Sequence, residues 1–232
     1  MNKILNIIIY DERLGYERLI KAQLERLSKN NHNIIQYFCT FNEKIDSPIK
    51  LVDNVIYIKG SETYLPGILD KTIKAIQYCV YTLGIKFDYL IRSNISTVID
   101  FKNIPYSELV SDDIVYTTSY IVRLGPIDPP CGIYDDCLFG TPYASGTNII
   151  LNKKGVNYLL NNIDKINRTI IDDLAIGLVM KEVTTVYKLS TELIFNNCDK
   201  IGVFYRCKSV KKEKNRHVDI PKIEKLITRL LS

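Results

Sequence analysis

The sequence predicts a single α/β domain over residues 1–232, with a mostly parallel sheet flanked by helices on both faces. Strand-like and helix-like segments alternate through the first half, as crossover connections between parallel strands require. The opening strand is an apolar run interrupted only by Asn6, which suits a position buried on both sides. No internal repeat or low-complexity stretch points to a solenoid.

Each element follows from local pattern. Residues 4–10 form the first strand, and Asp11 and Glu12 stop its apolar run far short of a signal or membrane-spanning length. Residues 16–27 form a helix with Leu19, Ile20, Gln23, Leu24 and Leu27 on its inner side. Segments 34–41 and 55–58 are further strands, 60–66 is a loop, and 68–83 is a long helix packing Ile73, Ile76, Val80 and Leu83 inward. A strand over 87–91 ends at Arg92, and 114–116 forms another. The stretch 124–142, rich in Pro, Gly, Asp and Cys, is an irregular loop of a length that marks either function or disorder. Residues 148–151 are a short strand and 155–162 the helix after it, while 201–205 read as a late strand.

Composition is that of an ordinary globular protein: 46% hydrophobic, 25% charged, with a formal charge of +5. That charge is too modest for bulk polyanion binding, and no interleaved aromatic motif or nucleic-acid fold is recognisable. Much of the excess is local, in the segment YRCKSVKKEKNRH at 205–217, which is either a functional cationic patch or a solvated face. The six cysteines form no CxxC pair, so free thiols in a reducing compartment are expected; Cys131 and Cys137 would close a small disulfide loop only in an oxidising lumen. There is no P-loop, HExxH or Ser-His-Asp order.

The densest signal is YASGTNIILNKKGVNYLL followed by IDDLAIGLVMKE. Ser145 and Gly146 lack bulk, and Gly admits positive φ, so a ligand can approach the backbone there. Asp172 and Asp173 sit in the first turn of a helix whose inner residues are Leu174, Ala175, Leu178 and Val179. Acids in that turn either cap the helix or do chemistry. In open parallel sheets ligands collect outside the carboxyl ends of the strands, which places Asp11, Glu12 and the segment from Arg92 to Ser96 on the crevice side.

Taken together, the first strand, a helix with Lys71 and Thr72, the FDYLIRSNIS strand end, the YASGTN loop, the IDDLAIG helix start and the FYRCKS segment resemble glycosyltransferases of the GT-A fold. The likeness is to the β-1,3-galactosyltransferase and Fringe-like branch and runs from Ile4 to about Asp219. It implies a Rossmann-like arrangement with a nucleotide-binding half (1–100), an acceptor and catalytic half (101–205) and a basic C-terminal segment with a helix (206–232).

One departure stands out. Where that family places a metal-binding Asp-x-Asp, this chain has Arg92, Ser93, Asn94, Ile95 and Ser96, which cannot build a hard-cation cage. The resemblance therefore implies a site that requires no metal, the departing diphosphate being met by fixed cations and hydrogen-bond donors. Arg92 would offer a guanidinium fork to phosphate, with Asn94 and Ser96 bonding sugar or ribose; alternatively Arg92 pairs with Asp88 or Asp100. Arg206 and Lys208, alternating with Cys207 on one side of a strand, would reach the pyrophosphate, with Arg216 and His217 as further candidates.

The same likeness makes Asp173 the general base of an inverting transfer and gives Asp172 the place of its acidic partner, capping the helix or binding a hydroxyl. Lys71 is placed near the nucleotide or is an exposed helix residue, and Tyr10 and Asp11 would stack and bond the base. Asp136 belongs to a loop suited to acceptor contact, as do Ser145 and Gly146. The resulting expectation is a glycosyltransferase of glycan biosynthesis, using a nucleotide-sugar donor with UDP favoured and a glycan or glycoconjugate acceptor. It requires no cofactor, a divalent metal such as Mn or Mg being the disfavoured alternative; it takes no nucleic acid, has no membrane span and works in the cytoplasm. A catalytically silent nucleotide- or sugar-binding relative is the alternative.

Overall fold

A computed structural model of the protein describes residues 2–30, 33–208 and 218–231. Along the chain it forms β1 (Ile4–Ile9), α1 (Glu17–Asn30), β2 (Ile34–Phe41), β3 (Ile49–Val52), β4 (Val55–Ile58), α2 (Gly67–Gln77), β5 (Tyr89–Asn94) and β6 (Thr97–Ile99). Then come β7 (Tyr116–Thr118), β8 (Ile121–Arg123), β9 (Pro142–Ala144), β10 (Asn148–Asn152), α3 (Lys153–Asn161), α4 (Asp172–Met180), β11 (Tyr187–Lys188), β12 (Leu193–Phe195), β13 (Phe204–Arg206) and α5 (Asp219–Leu231).

Eight strands build the main sheet in the order β11-β7-β10-β5-β1-β2-β4-β3. β1 lies between β2 and β5, parallel to both, and every one of its residues is buried, as a strand covered on two faces requires. Leu5, Ile7 and Ile9 pack with α2 and α4, whereas Ile8 joins Phe38 against Leu19 of α1 and Ile223 and Leu226 of α5. Helices thus cover both faces.

The sheet is mixed rather than mostly parallel: β10 runs antiparallel to β5 and β7, and β3 antiparallel to β4. The reason is connectivity. Helix α1 crosses from β1 to β2 and α2 from β4 to β5, as parallel strands require, and β3 lies between β2 and β4 in the chain, but no α-helix separates β5 from β10. Other differences are local. The long second helix stops at Gln77 and continues as one π-helical turn over Tyr78–Thr82, and the strand expected at 114–116 lies at Tyr116–Thr118.

Two helix starts matter for the site. α3 is capped by Asn152, whose side chain accepts from the Gly155 amide at 2.9 Å. α4 has no such cap and buries nearly all of its sides, the pattern of a helix inside a core. It comes so close to β9 that a Cβ on Gly177 would stand 2.8 Å from that of Tyr143.

Candidate functional site

β1 and β5 are parallel and in register, with Ile9 opposite Asn94, so their carboxyl ends finish side by side. β10 starts opposite Ser93, which brings the loop from Ser145 to Thr147 to the same end. β13 pairs with β6 so that Arg206 stands opposite Thr97, and α4 begins against the loop. Arg92, Asn94, Gly146, Asp172, Asp173 and Arg206 therefore meet in one crevice, although they come from four separate segments.

Gly146 is its hub. The Gly146 carbonyl accepts from Arg92 Nη1 and from Asn94 Nδ2, the latter at 3.0 Å, and its amide donates to Asp173 Oδ2 at 2.9 Å. Its φ is not positive; what excludes a side chain is room, since a Cβ would lie 2.8 Å from Arg92 Nη1 and 3.2 Å from Asp173 Oδ2. Ser145 folds back on Thr147, hydroxyl to hydroxyl at 2.9 Å.

Arg92 is buried and its Nη2 stands 2.5 Å from Asp172 Oδ2, with Nε reaching the Thr72 hydroxyl at 3.5 Å. Neither of its expected partners takes it: Asp88 accepts from the Lys3 amide and Asp100 pairs with Arg26. Asp172 is thus an ion-pair partner rather than a helix cap.

Asp173 is partly exposed at the crevice, and Oδ1 accepts from the Leu174 amide at 3.1 Å. Burial, and then the neighbouring Asp172 charge, push its carboxyl up from the ordinary 3.8 to about 6, while the Gly146 amide, Arg92 and the Leu174 amide pull the other way. Tyr64 and Tyr143 lie close enough for the Asp173 charge to add to the upward push that burial gives their hydroxyls. Tyr64 did not stand out in the sequence and Tyr143 did so only as the first residue of YASGTN, because only the fold brings the 60–66 loop and β9 against α4.

Arg206 donates to Asn94 Oδ1 at the rim, while Lys208 lies past the strand end, exposed, with its backbone amide and carbonyl both bonded by the Asn196 side chain. Arg216 and His217 fall outside the described residues. Ser96 is buried, and its carbonyl accepts from the Cys207 amide.

Three expected donor contacts lie elsewhere. Lys71 is neither exposed nor open to a nucleotide: it is 1% exposed, with Nζ bonded to both Glu62 carboxylate oxygens at 2.7 and 2.6 Å and to the Tyr10 carbonyl at 2.7 Å. The Tyr10 ring is buried edge-on against Phe38 and cannot stack a base. Asp11 caps the short turn Glu12–Leu14 and is held bidentately by Arg13, which lowers its pKa. Asp136 is exposed in the long loop, where its carbonyl accepts from the Phe139 amide. All six cysteines are free thiols.

Asp172 is held by Arg92, and Asp173 accepts from two backbone amides. Among the described residues no three His, Cys, Asp or Glu side chains converge as ligands. A recess of about 200 Å³ lined by Asp88, Tyr89, Asp112 and Lys154 opens at the other end of β5, about 17 Å away at the rise of a strand.

No family model and no curated protein matches the chain. Among solved structures it is similar to a glycosyltransferase involved in glycosylation of the major capsid of PBCV-1, at 11% identity over 94% of this chain and 99% of that one, with a TM-score of 0.49. It is also similar to the glycosyltransferase GlyE of Streptococcus pneumoniae TIGR4, at 10% identity over 100% of this chain and 62% of that one, with a TM-score of 0.47. Among the described residues no helix is long and apolar enough to cross a membrane.

Proposed function

We propose that this protein is a glycosyltransferase that moves a sugar from a nucleoside diphosphate donor, UDP favoured, to a hydroxyl acceptor with inversion and without a metal. The observation that carries this reading is Asp173: a partly exposed carboxylate with its pKa raised to about 6, fixed by the Gly146 amide beside a crevice rimmed by Arg206 and Asn94. A base tuned near neutrality can take a proton from an acceptor hydroxyl as its oxygen attacks the anomeric carbon. The bond from that carbon to the diphosphate breaks as the new one forms, and the diphosphate leaves with the electron pair.

Arg206 is the cation we assign to the diphosphate, because it stands half-buried at the rim beside Asn94 whereas Arg92 is buried against Asp172. Arg92 and Asp172 act as positioning residues. Arg92 holds the Gly146 carbonyl, and the Gly146 amide in turn holds the base. Asn94 orients Arg206 through Oδ1. The cytoplasm is the proposed location.

The test is calorimetric binding of nucleoside diphosphates and nucleotide sugars, with and without manganese, to the wild type, Asp173→Asn and Arg206→Ala. Metal-independent binding of one diphosphate, kept in Asp173→Asn while turnover falls about 10²- to 10⁴-fold, supports the reading. Arg206→Ala should weaken that binding. Absence of binding by the wild type to every member sinks it.

A further inference from the structure

We propose that Tyr120 and Phe195 form a right-angled aromatic notch that seats a pyranose ring of the acceptor at the edge of the Asp173 crevice, an inference that rests on the transfer reading above. Their ring centroids are 5.9 Å apart and the planes stand at 86°. Tyr120 is 45% and Phe195 53% exposed, so two large apolar surfaces face solvent side by side.

The backbone that carries each ring is held by polar contacts of its neighbours. The turn carrying Tyr120 is pinned to the buried Asn148: Thr118 Oγ1 and the Ser119 amide donate to Asn148 Oδ1 at 2.8 and 3.3 Å, and Asn148 Nδ2 donates to Ser119 Oγ at 2.7 Å. Phe195 is followed by Asn196, which takes a φ of 51° although it is not glycine. That conformation is costly and persists where surrounding bonds impose it. Here the Asn196 side chain bonds the Lys208 amide and carbonyl at 2.9 and 3.0 Å, and the Asn196 amide donates to the Arg206 carbonyl at 2.9 Å. Aromatic side chains fixed before binding lose little freedom on binding.

The notch is continuous with the site at two points. The Tyr120 carbonyl accepts from the Ser145 amide at 3.1 Å, one residue before the glycine that holds Asp173. Phe195 is the register partner of Arg206, which reaches Asn94. A pyranose has an apolar face of C–H bonds and a rim of hydroxyls. The first suits an aromatic ring, and the second suits polar groups such as Ser145, Asn94 and Arg206 placed around it. Perpendicular rings make a corner for a thick, puckered ring; a flat nucleobase is better held between parallel faces.

The experiment is saturation-transfer NMR with a panel of methyl hexopyranosides, added to the wild type in the presence of the diphosphate it binds. At least one glycoside should bind, and Tyr120→Ala and Phe195→Ala should each weaken it about tenfold. Tyr120→Phe should retain the affinity, which separates loss of the ring from damage to the fold, and the diphosphate Kd should not change in any variant. The proposal is overturned if no glycoside binds the diphosphate complex, if both alanine variants bind as the wild type does, or if they lose the diphosphate instead. Failure of the wild type to bind any diphosphate is a different result and removes the transfer reading itself.

Discussion

Two charged clusters lie at the same end of the sheet and are built to opposite ends. Beside β1, Lys71 and Glu62 are both nearly inaccessible, and each atom of the pair has its partners: the ammonium has Glu62 and the Tyr10 carbonyl, and Glu62 Oε1 also takes the Thr40 hydroxyl and the Phe41 amide. Beside β5, Arg92 is as deeply buried as Lys71, yet the acids it faces are two, and only Asp172 is neutralised by direct contact. Asp173 is left with backbone donors and a surface to the crevice. A closed ion pair is structural; a carboxylate pushed toward neutrality at an opening is equipped for proton transfer.

Removing one charge from each cluster should separate stability from activity. Lys71→Met leaves Glu62 buried without its cation, and breaking such a pair should cost about 3–5 kcal/mol, read as a lower urea midpoint. Asp173→Asn should do the reverse: turnover falls about 10²- to 10⁴-fold, while stability at neutral pH holds or rises because a penalised charge has gone. If Lys71→Met keeps its midpoint and loses nucleotide binding instead, Lys71 belongs to the site and the comparison is wrong.

Gly146→Ala probes the junction that makes the second cluster work. The added methyl would meet Arg92 Nη1 at 2.8 Å and Asp173 Oδ2 at 3.2 Å, so one of them must shift. Overpacking of this kind costs about 1–3 kcal/mol, and the loss of turnover should exceed the loss of midpoint. Equal, small changes in both would show that the loop relaxes without disturbing the base.

These contrasts were only partly visible in the sequence. β1, α1, β5 and the start of α4 were legible because each is a local pattern: an apolar run, a helical stripe, or an acid pair ahead of an apolar helix. Asp173, Gly146, Arg92, Asn94 and Arg206 were each picked out, and they do meet. Their pairing was not legible. Arg92 chooses Asp172, eighty residues on, because β5 and α4 are brought together by a loop, a contact no spacing encodes.

Lys71 was misplaced for the same reason, since its partner Glu62 sits in a loop with no periodic signal. Tyr10 follows β1 but turns to the α1 side, where Phe38 covers it. The antiparallel course of β10 was hidden because its apolar run reads alike in either direction.

The last expected effect concerns pH. The wild-type rate should fall on the acid side with a midpoint near 6, as Asp173 takes up a proton and ceases to be a base. Stability should move with the same group. Its folded carboxyl titrates at about 6 and an unperturbed one at 3.8, so between these values the native state holds a proton that the unfolded chain has released. That contribution is fully present below the lower value and is lost as pH rises through about 6. Urea midpoints of wild type and Asp173→Asn, measured across this range, should therefore draw apart as pH rises, the wild type falling behind and the gap levelling above about 7. If the wild type gains on the variant instead, Arg92 and the Gly146 amide stabilise the carboxylate more than burial penalises it. The second cluster would then be an ion-pair network as closed as the first.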